Sequence, residues 1–205
     1  MLLTILVILE IGNSPLINST LWSVLKSLIF KIRPFQIYPP LDIKKKNDGD
    51  TLSGVISKLK NVDKNQIIFG NGTDEILDLI VRVFCNPNRD KIITLPPTYG
   101  MYDVIAKTNG VENIEIPLKS DFSIDKNEIL KLSSKTTKVL FLCSPNNPTG
   151  NSFDTNDLTD LIKGFNGVVV VDEAYIDFSS KQSLISLIED NNNLIITQTM
   201  SKAYG

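Results

Sequence analysis

Apolar runs that alternate with amphipathic segments are the feature that most constrains the fold of this chain. Four valines precede Asp172, and the stretch "VLFL" precedes Cys143. Strands that are apolar along their whole length are buried on both faces, as in a parallel sheet covered by helices on either side. Between these runs, apolar residues recur at helical spacing, as at Ile76, Leu77 and Ile80. This alternation predicts an α/β fold, a three-layer α/β/α sandwich with a mostly parallel sheet.

The same pattern predicts where the individual elements lie. Turn formers such as "PPTYG" and "SPNNPTG" separate the segments, and Asp125 with Glu128 three residues later is typical of a helix start. The predicted strands are 65–70, 91–95, 113–118, 137–143, 167–172 and 193–199. The predicted helices are 51–60, 73–85, 101–110, 125–132, 154–165 and 181–190.

Composition excludes several classes of function. The chain has 205 residues, a net charge of -2 and 21% charged residues, which leaves no basic field for nucleic acid. It contains no histidine, so Ser-His-Asp, Cys-His and histidine-ligated metal chemistry are excluded. A lysine, a tyrosine or a carboxylate would have to carry any proton in catalysis. The isolated Cys85 and Cys143 form neither a metal pattern nor a disulfide framework, which favours a reducing compartment and hence the cytoplasm.

The first 34 residues form an apolar N-terminal segment of uncertain role, followed by one domain over 35–205. The runs "MLLTILVILEIG" and "LWSVLKSLIFKI" are interrupted before the roughly 18 to 20 apolar residues that a membrane span needs. The segment shows neither the basic start nor the small-residue cleavage site of a signal peptide. A docked amphipathic segment, an unusual start of the reading frame and a membrane or targeting role remain open. The polar stretch "IKKKNDGD" is a loop or a linker.

Unusual residues follow four of the predicted strands, at the edge of the sheet where ligands bind in such folds. Thr73 and Asp74 open a helix after the first strand, as in an anion site or a plain helix cap. Asn147 lies in a turn after another strand, Asp172 ends the valine run, and Lys202 follows the last strand. A buried acid is costly unless it is paired. Together these groups suit a phosphorylated pyridine aldehyde.

The ordered motifs "NGTDE", "PPTYGMY", "SPNNPTG", "VVVVDEAYIDF" and "TMSKAYG" resemble the large domain of fold-type-I aminotransferases, which depend on pyridoxal 5'-phosphate (PLP). Within that group the chain is most similar to the histidinol-phosphate aminotransferases, over roughly residues 52 to 205. The resemblance implies PLP as the cofactor and a homodimer as the assembly. It also implies transfer of an amino group between L-glutamate and imidazole-acetol phosphate, in histidine biosynthesis.

The resemblance assigns a role to each residue around the cofactor ring. Lys202 would form the Schiff base with PLP and then shuttle the proton between substrate and cofactor. Asp172 would pair with the protonated pyridine nitrogen, which makes the ring a better electron sink. Tyr175 and Asn147 would hydrogen-bond the ring 3-oxygen. Tyr99 would stack on the face of the ring.

The resemblance also implies contacts to the phosphate and to a second subunit. Thr73 and Asp74 would offer backbone N–H groups to the phosphate, and Thr199 and Ser201 would offer hydroxyls. Tyr38 in "QIYPPLD" is a candidate to reach the partner subunit's site. No residue is assigned to a metal.

Family members continue past the lysine with a phosphate-binding arginine and a small C-terminal domain that binds substrate. We therefore expect residues 35–205 to be an incomplete PLP-binding large domain without that small domain, and the 205-residue chain to have little transaminase activity. The alternatives are another PLP enzyme, such as a threonine-phosphate decarboxylase or an aromatic aminotransferase, and a non-catalytic truncated product. An unrelated nucleotide-binding protein is disfavoured because neither G-x-G-x-x-G nor G-x-x-x-x-G-K-[ST] occurs.

Overall fold

One seven-stranded sheet lies at the centre of the computed structural model, which describes residues 3–8 and 51–204. The strands are β1 (Leu3–Ile8), β2 (Ile67–Asn71), β3 (Lys91–Thr94), β4 (Glu112–Glu115), β5 (Thr137–Cys143), β6 (Val168–Asp172) and β7 (Leu194–Thr199). The helices are α1 (Leu52–Lys60), α2 (Thr73–Phe84), α3 (Met101–Thr108), α4 (Lys126–Lys131) and α5 (Thr155–Gly164). Short 3-10 turns span Lys64–Gln66, Ile176–Phe178 and Leu184–Leu187.

The strands follow one another across the sheet in the order β2-β1-β7-β6-β5-β3-β4. The pairs β7–β6, β6–β5, β5–β3 and β3–β4 are parallel, whereas β1 runs antiparallel to both of its neighbours, β2 and β7. The predicted α/β fold with a mostly parallel sheet is confirmed. The strand at residues 3–8 was not predicted, because the apolar run in which it lies shows no clear alternation.

Helices cover both faces of the sheet, so the predicted three layers are confirmed. Alternate residues of a strand point to opposite faces. Val168 and Val170 therefore pack in one buried cluster with α2 and α3, and Val169 and Val171 pack in the other with α1, α4 and α5. Every residue of β6 is buried, which explains why its sequence is apolar up to the terminal acid.

The predicted helix over 181–190 is wrong for most of its length. Only the 3-10 turn Leu184–Leu187 forms there. The buried Glu173 carboxylate accepts hydrogen bonds from the Ser183 hydroxyl and the Leu184 amide. These long-range contacts fix a short turn at a place where local propensity favours a helix. The helix start at Asp125 forms as predicted, with the Asp125 side chain accepting the Glu128 amide.

Three predictions fall on residues outside the described ranges. Tyr38 and the polar stretch 43–50 both lie between residues 9 and 50, as does the predicted boundary at residue 34. Within the described ranges, no helix is both long enough and apolar enough to cross a membrane.

Candidate functional site

A cavity of about 150 Å³ lies at the carboxyl ends of the parallel strands. It collects side chains from the ends of β2, β5, β6 and β7, four strands that are far apart in the sequence. The predicted site residues that line it are Thr73, Asp74, Tyr99, Asn147, Asp172, Tyr175, Ser201 and Lys202. The predicted residue Thr199 does not line the cavity. Its hydroxyl lies 2.9 Å from that of Ser201.

Asp172 lies at the end of β6 with 2% of its surface exposed. Its carboxylate accepts hydrogen bonds from the Tyr102 hydroxyl at 2.8 Å, the Thr197 hydroxyl at 2.8 Å and the Ala174 amide at 3.2 Å. Burial raises the pKa of Asp172 above its usual range, and these hydrogen bonds oppose that shift. No cation lies within ion-pair distance of this carboxylate among the described residues. The carboxylate is therefore suited to a positively charged ligand group.

Tyr102 supports the site, and the sequence analysis did not single it out. Its ring is fully buried, stacks on Phe141 at 4.7 Å between ring centroids, and meets Tyr99 edge-on at 5.6 Å. Burial raises its pKa well above the usual value, so the phenol stays neutral and donates a hydrogen bond to Asp172. Its position three residues after Tyr99, on the buried face of a predicted helix, was the available signal.

Tyr99 and Asp74 contact each other across the mouth of the cavity. The Tyr99 hydroxyl donates to Asp74 Oδ1 at 3.0 Å. Burial and the nearby Asp74 carboxylate raise the pKa of Tyr99 to about 12. The Asp74 side chain in the first turn of α2 is thus turned toward this phenol.

The N-terminus of α2 forms one end of the cavity. Gly72 precedes the helix with φ of 87°, a conformation that glycine adopts without steric cost, and no side chain caps the helix start. Helix N-termini carry partial positive charge and amide donors that favour anions. Thr73 and Ser201 line the same cavity.

Asn146 connects the two loops that carry Tyr99 and Asn147, and the sequence analysis missed it as well. Its side chain is buried, accepts from the Thr98 hydroxyl at 2.9 Å and donates to the Pro97 carbonyl at 2.9 Å. The next residue, Asn147, lines the cavity. Asn146 therefore holds the two loops together, and the adjacent Asn147 lines the cavity.

Lys202 lies just beyond β7, exposed to solvent at the edge of the cavity. Its Nζ is 5.4 Å from the centroid of the Tyr175 ring, a cation–π distance. Tyr175 and Asn147 also form a wall of a second, larger cavity of about 570 Å³ that extends toward Lys181. The smaller cavity contains the acid, the amine and the helix N-terminus, so it is the candidate site.

This arrangement can hold a flat, charged ligand by complementary groups. The α2 N-terminus suits an anionic substituent, Asp172 suits a protonated ring nitrogen, and Lys202 supplies an amine nucleophile. The buried cysteine Cys143 also lines the cavity, and burial raises the pKa of its thiol to about 12, so it is not a nucleophile. No group of three or more histidine, cysteine or acidic residues that could bind a metal occurs in the described part of the chain.

Sequence comparison finds the same family along almost the whole chain. The family described as aminotransferase class I and II matches residues 5–205. A histidinol-phosphate aminotransferase of Flavobacterium psychrophilum is 56% identical over 154 residues, which is 75% of this chain and 44% of that protein. A histidinol-phosphate aminotransferase of Flavobacterium johnsoniae is 53% identical over 156 residues, 76% of this chain and 45% of that protein. The chain thus spans less than half the length of these curated relatives.

Solved structures share the fold. A histidinol-phosphate aminotransferase of Sinorhizobium meliloti, solved in complex with pyridoxal-5'-phosphate, aligns with a TM-score of 0.70 and 20% identity. That alignment covers 95% of this chain and 50% of the other. A histidinol-phosphate aminotransferase of Clostridium acetobutylicum aligns with a TM-score of 0.68 and 23% identity, covering 96% of this chain and 55% of the other.

Proposed function

Because the chain belongs to the aminotransferase class I and II family, we propose that it forms the cofactor-binding part of a PLP-dependent histidinol-phosphate aminotransferase. The observation that carries this proposal is the meeting of Asp172 and Lys202 in one cavity with the N-terminus of α2. The relatives above support the substrate assignment, because both are histidinol-phosphate aminotransferases and are 53% to 56% identical to this chain where they align.

The residues of the cavity fit the chemistry of PLP. Thr73 and Ser201, with the amides of the α2 N-terminus, would hold its phosphate. Tyr99 would lie against the ring, and Asn147 with Tyr175 would contact the ring oxygen. When bound, PLP supplies an electron sink for the negative charge that develops on the substrate carbon. No arginine lines this cavity in the described residues, so amides and hydroxyls would provide the phosphate contacts there.

Asp172 would hold the ring nitrogen in its protonated state. Its carboxylate is buried, accepts three hydrogen bonds and has no cation within ion-pair distance among the described residues. A positive ring nitrogen would supply the missing charge, and it would lower the pKa of the acid back toward its ordinary range. The same contact would keep a proton on the nitrogen, as the electron sink requires.

Lys202 would act as the nucleophile and then as the base. Its amine can attack an electrophilic carbon, and once released it can carry a proton between two carbons. The Tyr175 ring, with its centroid 5.4 Å from Nζ, orients the amine. No histidine exists in the chain to take over this proton transfer.

The finer parts of the proposal follow from the relatives and from the fold. We propose L-glutamate and imidazole-acetol phosphate as substrates, a homodimer as the assembly and the cytoplasm as the location. We propose further that 35–205 is an incomplete PLP-binding large domain and that Tyr38 contacts the partner subunit's site. The phosphate-binding arginine and the substrate-binding small domain of family members would both lie outside residues 35–205. Thr199 would support the phosphate contact through its hydrogen bond with Ser201.

A PLP titration of the purified chain tests the cofactor site. We expect a visible absorption band on adding PLP, and after borohydride reduction a pyridoxyl group mapped to Lys202. Lys202→Ala should lose the mapped adduct, whereas the matched control Lys181→Ala, in the neighbouring cavity, should retain it. Labelling spread evenly over surface lysines in both variants would refute the site.

Substrate tests separate the proposed reaction from the alternative on the same scaffold. With PLP bound, excess histidinol phosphate should convert only a small part of the absorption band to that of the aminated cofactor, with release of the corresponding ketone, because we expect little transaminase activity from this chain. O-phosphothreonine should release no carbon dioxide. Carbon dioxide release from O-phosphothreonine without a response to histidinol phosphate would favour a decarboxylase instead.

A further inference from the structure

Glu173 follows Asp172 directly, and it is a second buried acid that the proposed chemistry does not use. It has 2% of its surface exposed. Glu173 is the residue after the end of β6, and its backbone amide still donates to the Thr197 carbonyl of β7. Asp172 contacts Tyr102 on the side of the cavity, whereas Glu173 contacts Ser183 on the other side. Burial raises the pKa of Glu173, so an ionised acid is costly at this position unless hydrogen bonds stabilise it.

Three donors converge on the Glu173 carboxylate. Oε1 accepts the Leu184 amide at 2.8 Å, and Oε2 accepts the Ser183 hydroxyl at 2.5 Å and the Gln198 side-chain amide at 2.8 Å. Gln198 Nε2 also lies 3.1 Å from the Ser183 hydroxyl. All three partners donate to the acid, which satisfies its oxygens without a direct ion pair.

The contact to Gln198 lies at the end of the β6–β7 pairing. The last residue pair of that ladder joins Asp172 to Thr197, and the Glu173 amide donates to the Thr197 carbonyl at 2.8 Å. The side-chain bond between Glu173 and Gln198 therefore extends the pairing one residue beyond the ladder. Lys202 follows Gln198 by four residues.

We propose that Glu173 is a positioning residue that fixes the backbone leading to Lys202 relative to Asp172. Asp172 and Lys202 are the two groups between which the cofactor would be held, and they come from different strands. Glu173 is bonded to Asp172 through the chain and to the end of β7 through Gln198. It ties both strand ends to the turn at 183–184 from the side of the sheet that faces away from the cavity. We call the set of hydrogen bonds that Glu173 accepts from Ser183, Leu184 and Gln198 the clamp. Its role in catalysis rests on the proposed function.

The variant Glu173→Gln tests the clamp with almost no change in volume. Glutamine has one acceptor oxygen and an amide that donates, so it cannot accept from Leu184, Ser183 and Gln198 together. Hydrogen exchange of backbone amides in the chain without cofactor should accelerate about tenfold over 199–203, because hydrogen bonds to a buried carboxylate are lost. Glu128→Gln, at an acid on α4 whose side chain is 45% exposed, is the matched control and should leave this segment unchanged.

The double variant Glu173→Gln with Gln198→Glu swaps the two side chains and tests whether the geometry of the pair matters. The glutamate at 198 could accept from the new amide at 173 and from Ser183, while the glutamine oxygen at 173 accepts the Leu184 amide. Protection over 199–203 should recover in this double variant, a coupling that single changes do not show. If Glu173→Gln does not fold, the folding and protection of the double variant decide the question.

The outcomes distinguish this inference from the proposed function. Unchanged exchange over 199–203 in Glu173→Gln, or acceleration spread equally over β5 and α3, would overturn the clamp. A double variant that stays as exposed as the single one would overturn it too. The expected exchange pattern together with a parent chain that forms no adduct on Lys202 would refute the proposed function and leave the clamp intact.

Discussion

Asp90 and Asp172 are equally buried aspartates at opposite ends of the parallel strands, and their pKa values shift in opposite directions. Asp90 lies at the start of β3 with 1% of its surface exposed, and Asp172 lies at the end of β6 with 2% exposed. The Arg89 guanidinium and the Asn86 amide hydrogen-bond Asp90 and hold its pKa well below the usual range. Burial raises the pKa of Asp172, which accepts only neutral donors.

The contrast separates an acid whose charge is compensated by the fold from one whose charge is not. Asp90 closes the turn between α2 and β3 with its own chain neighbours. Asp172 faces a cavity, where a ligand can provide the compensating charge. A strongly perturbed acid in a cleft is a candidate for function, and a perturbed acid in a closed ion pair is a candidate for structure.

Asp90→Asn should have the largest effect on stability. Its folded pKa is lowered, so the ionised acid stabilises the fold at neutral pH, and this contribution is lost as the pH falls through the folded pKa. We expect the variant to lose about 2 kcal/mol of unfolding free energy at pH 7, from broken bonds to a buried carboxylate. Urea unfolding of the two proteins at pH 7 measures it. Equal midpoints would show that this ion pair contributes nothing.

Asp172→Asn should change stability by less and in the other direction. The folded pKa of this acid is raised, so its stabilising form is the protonated one, and stability falls as the pH rises from the ordinary carboxyl range through the raised pKa. The amide variant should gain about 0.5 to 2 kcal/mol at pH 7, as expected when a destabilised site residue is neutralised.

Unfolding measured between about pH 4 and 7 checks the sign, since ordinary aspartates titrate at the lower end of that range. Asp172→Asn should flatten the decline of stability across it, and the remaining slope belongs to Glu173, whose pKa burial also raises. A variant less stable than the parent at pH 7 would contradict this interpretation of the uncompensated charge.

Lys107→Ala should have the smallest effect on stability, and it extends the comparison to an acid that is paired at the surface. Lys107 hydrogen-bonds Asp103 four residues earlier on α3 and lowers the pKa of that acid, as Arg89 does for Asp90. The lysine side chain is 74% exposed, so solvent screens the pair. We expect no measurable change in melting temperature. A clear loss would mean that burial is not what separates the acids.

The fold was largely predictable because burial on both faces leaves a direct mark on the sequence. The valine run of β6 and the apolar run of β5 indicated central parallel strands. The short strand at residues 3–8 and the turn at Leu184–Leu187 were not predicted. Both depend on pairing with distant residues, β7 in the first case and Glu173 in the second, and local periodicity contains no such information.

The residues that face the cavity were predictable, and those that support them were not. Asp172 and Lys202 are polar residues at strand ends, where ligands bind in such sheets. Tyr102, Asn146 and Glu173 are set by which partner each meets in space. In the sequence, a buried tyrosine on a helix and an asparagine in a turn look like an ordinary core residue and an ordinary turn former.

The most direct test of the central claim is the dissociation constant of PLP, measured side by side for Asp172→Asn and Asp90→Asn at pH 7. The account predicts binding at least about tenfold weaker for Asp172→Asn, the equivalent of one unit in the pKa of the paired group. Asp90→Asn should bind within about twofold of the parent, even though it is the less stable protein. Equal weakening in both variants, or unchanged binding in Asp172→Asn, would contradict the proposal that Asp172 pairs with a cationic group of the ligand.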